Sequence, residues 1–356
     1  MLKDLLWLAG GLGLMVFGAD SLIRGAARIA ARMGITPLII GLTVVALGTS
    51  APELAVSVES ASRGQPDIAI GNVVGSNIFN VVFILGLSAL ITPLLVSAQL
   101  VRLDVPVMVG VSVGLWLLGR DGHLSVADGA LLFGGLLGYI GFLIYESRSR
   151  PAKRTSDTDG LLHGSQSFGS NALFVAGGLG LLVLGSHGFV DGAVGIAKFF
   201  GVSELVIGLT IVAAGTSMPE VVTSIVAALR GQRDIAVGNV VGSNIFNVLC
   251  VLGLSTLVSV EGIPVASAVI AFDLPVMIAI AAACLPMFFH GGVIDRWKGG
   301  VLFFYYLAYT AYVVLKAQSY SALDEYGAVM MYFVLPLTAL TLVAATLQEL
   351  RRRRGA

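Results

Sequence analysis

Charge is scarce in this chain of 356 residues: Asp, Glu, Lys and Arg together supply 12% of it, about half the ~25% of an ordinary soluble domain. Hydrophobic residues fill 56%, and mean hydropathy reaches +0.93. A water-soluble core cannot absorb so much apolar surface, which excludes a cytosolic enzyme. Nor is there a surplus of either sign. The 21 basic residues balance 21 acidic ones, so nothing is left over to neutralise phosphates, and a nucleic-acid binder is excluded. Cysteine is nearly missing: Cys250 and Cys284, each inside an apolar run, make neither a disulfide framework nor a metal cluster. Of the four histidines only His187 falls in an apolar stretch, and no H-E-x-x-H pattern is present, which speaks against an intramembrane hydrolase. Glycine is abundant instead, at 45 residues, as suits helices packed closely in a membrane.

Long apolar runs carry the rest of the chain. A bilayer core of ~30 Å needs about 20 apolar residues per helix. That ruler predicts spans at 5–19, 36–62, 68–92, 104–119, 127–145, 171–197, 203–229, 235–260, 266–289, 298–316 and 328–348. No small-residue cleavage pattern follows the first, which is therefore read as a membrane helix. A polar stretch, 146–170, separates the fifth and sixth spans. The loops after the odd-numbered spans, with the C-terminus and its Arg351–Arg354 run, hold 16 Lys and Arg, against 5 on the other side. The excess belongs in the cytoplasm. The expectation is an all-α polytopic membrane protein with its N-terminus outside and the 146–170 loop and C-terminus inside.

The strongest signal is an internal repeat. Gly41–Asn80 reads GLTVVALGTSAPELAVSVESASRGQPDIAIGNVVGSNIFN, and Gly208–Asn247 matches it at 28 of 40 positions. Each copy begins at the second span of a five-span half. Five is odd, so the second copy enters the membrane from the opposite side, giving two inverted repeats of five helices, an arrangement that recurs in secondary transporters. The expected division is a first repeat over 1–145, a linker over 146–170, a second repeat over 171–318, and an added eleventh helix with a basic tail over 319–356.

Polar residues converge within each copy. Thr49, Glu53 and Ser57 stand one turn apart on one helix face, as do Thr216, Glu220 and Ser224. Asn72, Ser76 and Asn80 form a second stripe, repeated as Asn239, Ser243 and Asn247. A carboxylate at mid-membrane costs roughly 2.5–3.5 kcal/mol even on the mild insertion scale. Neither Glu53 nor Glu220 has a basic residue near its depth in the same span. Either a protonated, hydrogen-bonded pair or a bound cation must compensate them. Pro52 and Pro219 each remove an N–H and crowd the carbonyl four residues back, at Gly48 and Gly215, so both helices should break there. Freed carbonyls beside carboxylates and hydroxyls make an all-oxygen site. This favours the cation, and calcium takes 6–8 such oxygens at about 2.3–2.6 Å. Asp20, Glu59 and Asp191 lack counterparts in the other half; Asp67 and Asp234 are read as helix N-terminal acids, and Arg63 and Arg230 as interface anchors.

GTSAPE at Gly48–Glu53, GTSMPE at Gly215–Glu220 and the two GNVVGSNIFN segments resemble the α-repeats of the calcium/cation antiporter superfamily, and prokaryotic sodium/calcium exchangers in particular. The resemblance implies an antiporter in a prokaryotic inner membrane, not an enzyme, with no cofactor and with Ca²⁺ and Na⁺ as transported substrates. It places Ca²⁺ at Glu53 and Glu220 with oxygens of Thr49 and Thr216. It places Na⁺ at the same glutamates with Ser50, Ser76, Ser217 and Ser243 and the carbonyls of Ala46 and Ala213; Asn80 and Asn247 complete the set. It also implies that the first and sixth helices slide across the rest. One position departs: archaeal sodium exchangers carry an acid where this chain has Asn247, and many proton-coupled relatives have asparagine there. A proton/calcium antiporter, or a potassium-dependent sodium/calcium exchanger, is thus the alternative.

Overall fold

The computed structural model describes residues 1–149, 167–202, 207, 211, 213–289 and 291–317. Most of the 146–170 linker, the opening of the expected span 203–229, and the expected eleventh span 328–348 with its arginine tail lie outside the described residues. The first half runs α1 (Leu2–Met33), α2 (Pro37–Thr49), α3 (Ala51–Ser62), α4 (Pro66–Ile91), α5 (Leu100–Asp121) and α6 (Val126–Ser149). The second runs α7 (Phe168–Phe199), α8 (Met218–Leu229), α9 (Arg233–Val258), α10 (Val269–Phe289) and α11 (Arg296–Ala317). Among the described residues, eight of these are long and apolar enough to cross a bilayer, and α2 with α3 forms one further span bent by 46°. The fold is all-α and polytopic, built from two repeats of opposite direction.

That inversion is written in the packing of α1 on α7, the first helix of each half. Gly11 of α1 lies against Gly185 and Phe189, Gly18 against Gly178 and Leu182, and Gly25 against Asn171 and Val175. The two helices therefore run antiparallel. The heptad spacing of Gly11, Gly18 and Gly25 is answered by Gly178, Gly185 and Gly192, and bare backbones meet along the seam. A Cβ on Gly178 would stand 2.6 Å from the backbone nitrogen of Leu22. Lipid tails are as apolar as leucine, so close van der Waals contact of this kind is what holds membrane helices together.

Helix α1 is far longer than the expected 5–19. Arg24 and Arg28 end the apolar run at the level of composition, but not the helix. Asp20 pairs with Arg24 one turn on and with Arg230 at the end of α8. With its charges held in this way the helix continues to Met33 and stops at Gly34, whose φ of 67° closes the C-terminus. At 32 residues it is about 48 Å long, more than the ~30 Å hydrocarbon core, so its arginine end belongs at the interface. Arg230 is thus an inter-helix partner. Arg63, its counterpart, pairs with Glu59 at 2.5 Å on its own helix.

The core is formed by α4 and α9, the helices that carry the GNVVGSNIFN segments. Helix α9 is buried along its whole apolar length and α4 along most of its own. Two short antiparallel ribbons tie the halves together around them. β1 (Leu94–Leu95) pairs with β4 (Val293–Ile294), and β2 (His123–Leu124) with β3 (Ile263–Pro264). In each ribbon one strand follows the third span of one half and the other joins the fourth and fifth spans of its mate. The two ribbons are equivalents under the internal two-fold.

The α1–α7 seam leaves no room for a side chain. Gly178→Ala is expected to lower stability by roughly 1–3 kcal/mol through overpacking. Gly10→Ala, where nothing among the described residues lies within 4 Å of the added carbon, should leave it unchanged or slightly raised. Thermal unfolding of the two variants in detergent checks this.

Candidate ion-binding site

Both expected helix breaks are present. Helix α2 ends at Thr49, Ser50 takes a non-helical conformation, and α3 restarts with Pro52 in its first turn. In the second half Ser217 occupies the same break and Pro219 opens α8. The missing N–H of Pro219 leaves the Gly215 carbonyl without its helical donor. The Ser186 hydroxyl of α7 donates to that carbonyl at 2.7 Å. In the first half the sequence equivalent of Ser186 is Ala19, which carries no hydroxyl.

The breaks bring Glu53 and Glu220 inward from opposite halves. Each is 1% exposed, and among the described residues neither is ion-paired. Each carboxylate is held by the other half: Ser50 donates to Glu220 Oε1 at 2.9 Å, and Ser217 donates to Glu53 Oε1 at 2.7 Å. Ser217 also lies 3.2 Å from the Ser76 hydroxyl on α4. Thr49, on the turn before Ser50, donates to the Ala46 carbonyl at 3.3 Å and to Asn239 Oδ1 at 3.1 Å. Ala213 opens the short helical turn Ala213–Gly215 that leads to the second break.

The two polar stripes divide their work. Asn72 donates to Ser57 at 2.9 Å and to the Glu53 carbonyl at 3.3 Å. Asn239 does the same to Ser224 at 3.0 Å and to the Glu220 carbonyl at 3.5 Å. These bonds fasten each broken helix to the core helix of its own half. The next turns behave differently. Among the described residues, Glu53 Oε2, Glu220 Oε2, Asn80 Oδ1, Asn247 Oδ1, Ser243 Oγ and Thr216 Oγ1 are all buried without a hydrogen-bond partner. Buried polar atoms are rarely left so, and here six oxygens on the expected site residues share that condition. At Asn80 and Asn247 both core helices widen into π-helical turns, Asn80–Leu85 and Asn247–Leu252, a distortion frequent at functional sites.

Some of the site was not read from the sequence. Asn77 and Asn244 cross-link α4 and α9 at the centre of the molecule, yet within GNVVGSNIFN they fall off the i, i+4 stripe. Asp104-Val-Pro-Val-Met108 and Asp273-Leu-Pro-Val-Met277 form a further repeat. Its register is shifted by two residues from that of the main one, and only a search allowing such a shift would find it. Asp104 accepts from Tyr139 at 3.2 Å and Asp273 from Tyr309 at 3.1 Å, so the repeat is structural as well as sequential. A Gly110-Val-Ser112-Val-Gly114 run resembles a hydrolase nucleophile motif, but Ser112 lies within α5 and donates to the Met108 carbonyl at 2.8 Å. No base is presented to it among the described residues.

Two inverted repeats, each with a helix broken beside a buried glutamate, are the arrangement of integral multi-pass membrane transporters. The family model described as sodium/calcium exchanger protein matches residues 3–145 and 170–315. The chain belongs to that family. It is 34% identical to the sodium/calcium exchanger MaX1 of Methanosarcina acetivorans, covering 84% of this chain and 95% of the relative. It is 40% identical to the inner membrane protein YrbG of Escherichia coli over 70% of this chain and 78% of that protein. Among solved structures, the sodium–calcium exchanger NCX_Mj soaked with Na⁺ and Sr²⁺ superposes with a TM-score of 0.74 at 31% identity, over 87% of this chain and 98% of that one.

Ser186→Ala strips the Gly215 carbonyl of its only side-chain donor among the described residues. The expected cost is roughly 1–3 kcal/mol, the usual penalty for an unsatisfied buried group, read as a lowered melting temperature in detergent.

Proposed function

We propose that the chain is a secondary antiporter exchanging Ca²⁺ for Na⁺ by alternating access, with both ions competing for the site between Glu53 and Glu220. The observation that carries this reading is the set of six unpartnered buried oxygens on the expected ligand residues, two of them on the carboxylates themselves, with no basic partner to either carboxylate among the described residues. Calcium takes 6–8 oxygens of this mixture of carboxylate, amide and hydroxyl. Among the described residues no group of three or more His, Cys, Asp or Glu gathers to favour a softer metal. In this reading Glu53, Glu220, Thr49 and Thr216 hold Ca²⁺. Ser50, Ser76, Ser217 and Ser243, Asn80 and Asn247, and the carbonyls of Ala46 and Ala213 hold Na⁺ with the same glutamates.

Charge balance supplies the coupling. The ionised pair carries a charge of about −2, which one Ca²⁺ or two or more Na⁺ neutralise. Moving an uncompensated pair through a site sealed from water is costly, so the empty carrier is the slow one and the two fluxes are tied together. The glycine seam makes α1 and α7 one antiparallel unit lying across the broken helices, which supports a sliding motion of that pair. In this reading residues 1–145 and 171–318 are the two repeats, and the 146–170 linker and the C-terminus face the cytoplasm.

Proton-driven exchange is the second reading, favoured by Asn80 and Asn247 being both neutral, which leaves two carboxylates as the only acids on the expected ligand set. Purified protein in liposomes should take up radiolabelled Ca²⁺ when an outward Na⁺ gradient is imposed. Glu53→Gln or Glu220→Gln should abolish that uptake. Uptake driven by a pH gradient alone selects the second reading, and undiminished exchange in either glutamine variant refutes the site.

A further inference from the structure

Whether an asparagine serves a cation depends on which end of its amide faces the ion: the oxygen attracts it and the NH₂ repels it. Nothing local fixes that choice, because the two ends are nearly equal in shape. In this molecule something distant does. Asn244 donates through Nδ2 to the backbone carbonyl of Asn77 at 3.3 Å, and Asn77 donates through Nδ2 to the backbone carbonyl of Asn244 at 3.1 Å. A backbone carbonyl only accepts, so each of these amides is locked with its nitrogen toward the opposite helix. Their oxygens must then point the other way.

Those oxygens meet the site. Asn80 donates through Nδ2 to Asn244 Oδ1 at 3.0 Å, and Asn247 donates through Nδ2 to Asn77 Oδ1 at 3.1 Å. With their nitrogens engaged, Asn80 and Asn247 are left with Oδ1 free, and both oxygens are buried without a partner among the described residues. Reversing Asn244 would set its oxygen against the Asn77 carbonyl and its NH₂ against that of Asn80, losing both bonds at once. All four side chains are 3% exposed or less, and a hydrogen bond lost at so buried a position is costly. Asn244 gains a further contact to the sulfur of Met108 at 3.5 Å.

We propose that Asn77 and Asn244 are positioning residues that set the polarity of the ion site: each, anchored on the other's backbone, turns the amide oxygen of Asn247 or Asn80 toward the cation. The relay crosses between repeats, so Asn244 acts on Asn80 and Asn77 on Asn247. It rests on the exchange reading above, and adds to it residues that touch no ion.

A double-mutant cycle on the Michaelis constant for Ca²⁺ in liposomes tests it. Asn244→Ala keeps the backbone carbonyl that anchors Asn77, and so releases Asn80 alone. It should raise KM for Ca²⁺ on the order of tenfold, about the loss of one well-placed polar interaction with a charge, with a smaller change in maximal rate. In an Asn80→Ala background there is no amide left to orient, and adding Asn244→Ala should change KM less than twofold, a non-additivity well beyond the usual scatter of such cycles. In an Asn247→Ala background the tenfold effect should persist. The mirror cycle, Asn77→Ala against Asn247→Ala and Asn80→Ala, gives an independent reading if one variant fails to assemble. Additive effects in every background overturn the relay, since a structural role would not distinguish Asn80 from Asn247. Wild-type protein that moves no Ca²⁺ under any gradient overturns the exchange reading instead.

Discussion

Two buried carboxylates, each steadied by a hydroxyl from the opposite half, are the constraint around which this molecule is arranged. Burying charge without a partner is among the costliest things a membrane protein can do, and the neighbouring structure is shaped to make it tolerable. The helix breaks at Ser50 and Ser217 place hydroxyls where a straight helix would put them out of reach. The core helices α4 and α9 are buried enough to exclude lipid. They widen into π-helical turns at Asn80 and Asn247. Remove the carboxylates and these distortions lose their purpose.

The mechanics follow a similar logic of rigidity in one place and freedom in another. Bare-backbone contact between α1 and α7 makes those helices a single stiff body. Its ties to the rest combine apolar packing, Leu179 over Gly48 and Val190 over Gly215, with the Asp20–Arg230 pair and the Ser186–Gly215 bond. The cross-repeat ribbons, by contrast, clamp the two halves of the core to each other.

Much of this was legible in the chain itself. Inversion followed from counting spans between two copies of a 40-residue block. The broken helices followed from Pro52 and Pro219, and the buried acids from Glu53 and Glu220 lacking basic neighbours. What escaped was of two kinds. The length of α1 was hidden because hydropathy reads Arg24 and Arg28 as the end of a span, whereas Asp20 neutralises part of that charge from within the helix. The roles of Asn77 and Asn244 were hidden because the i, i+4 rule describes one helix surface, while these residues act across the crossing of two. Periodicity along a chain cannot report a bond between helices whose angle is not yet known.

The exchange of hydroxyls between the halves also bears on how such a chain can change over generations. Ser50 serves the acid of the second half and Ser217 that of the first, so neither copy owns a complete set. Once the two segments were joined, drift at either serine was felt by its neighbour's glutamate rather than its own. Duplicates ordinarily diverge because one can lapse while the other keeps working; here reciprocal dependence denies that freedom, and the pair must age together.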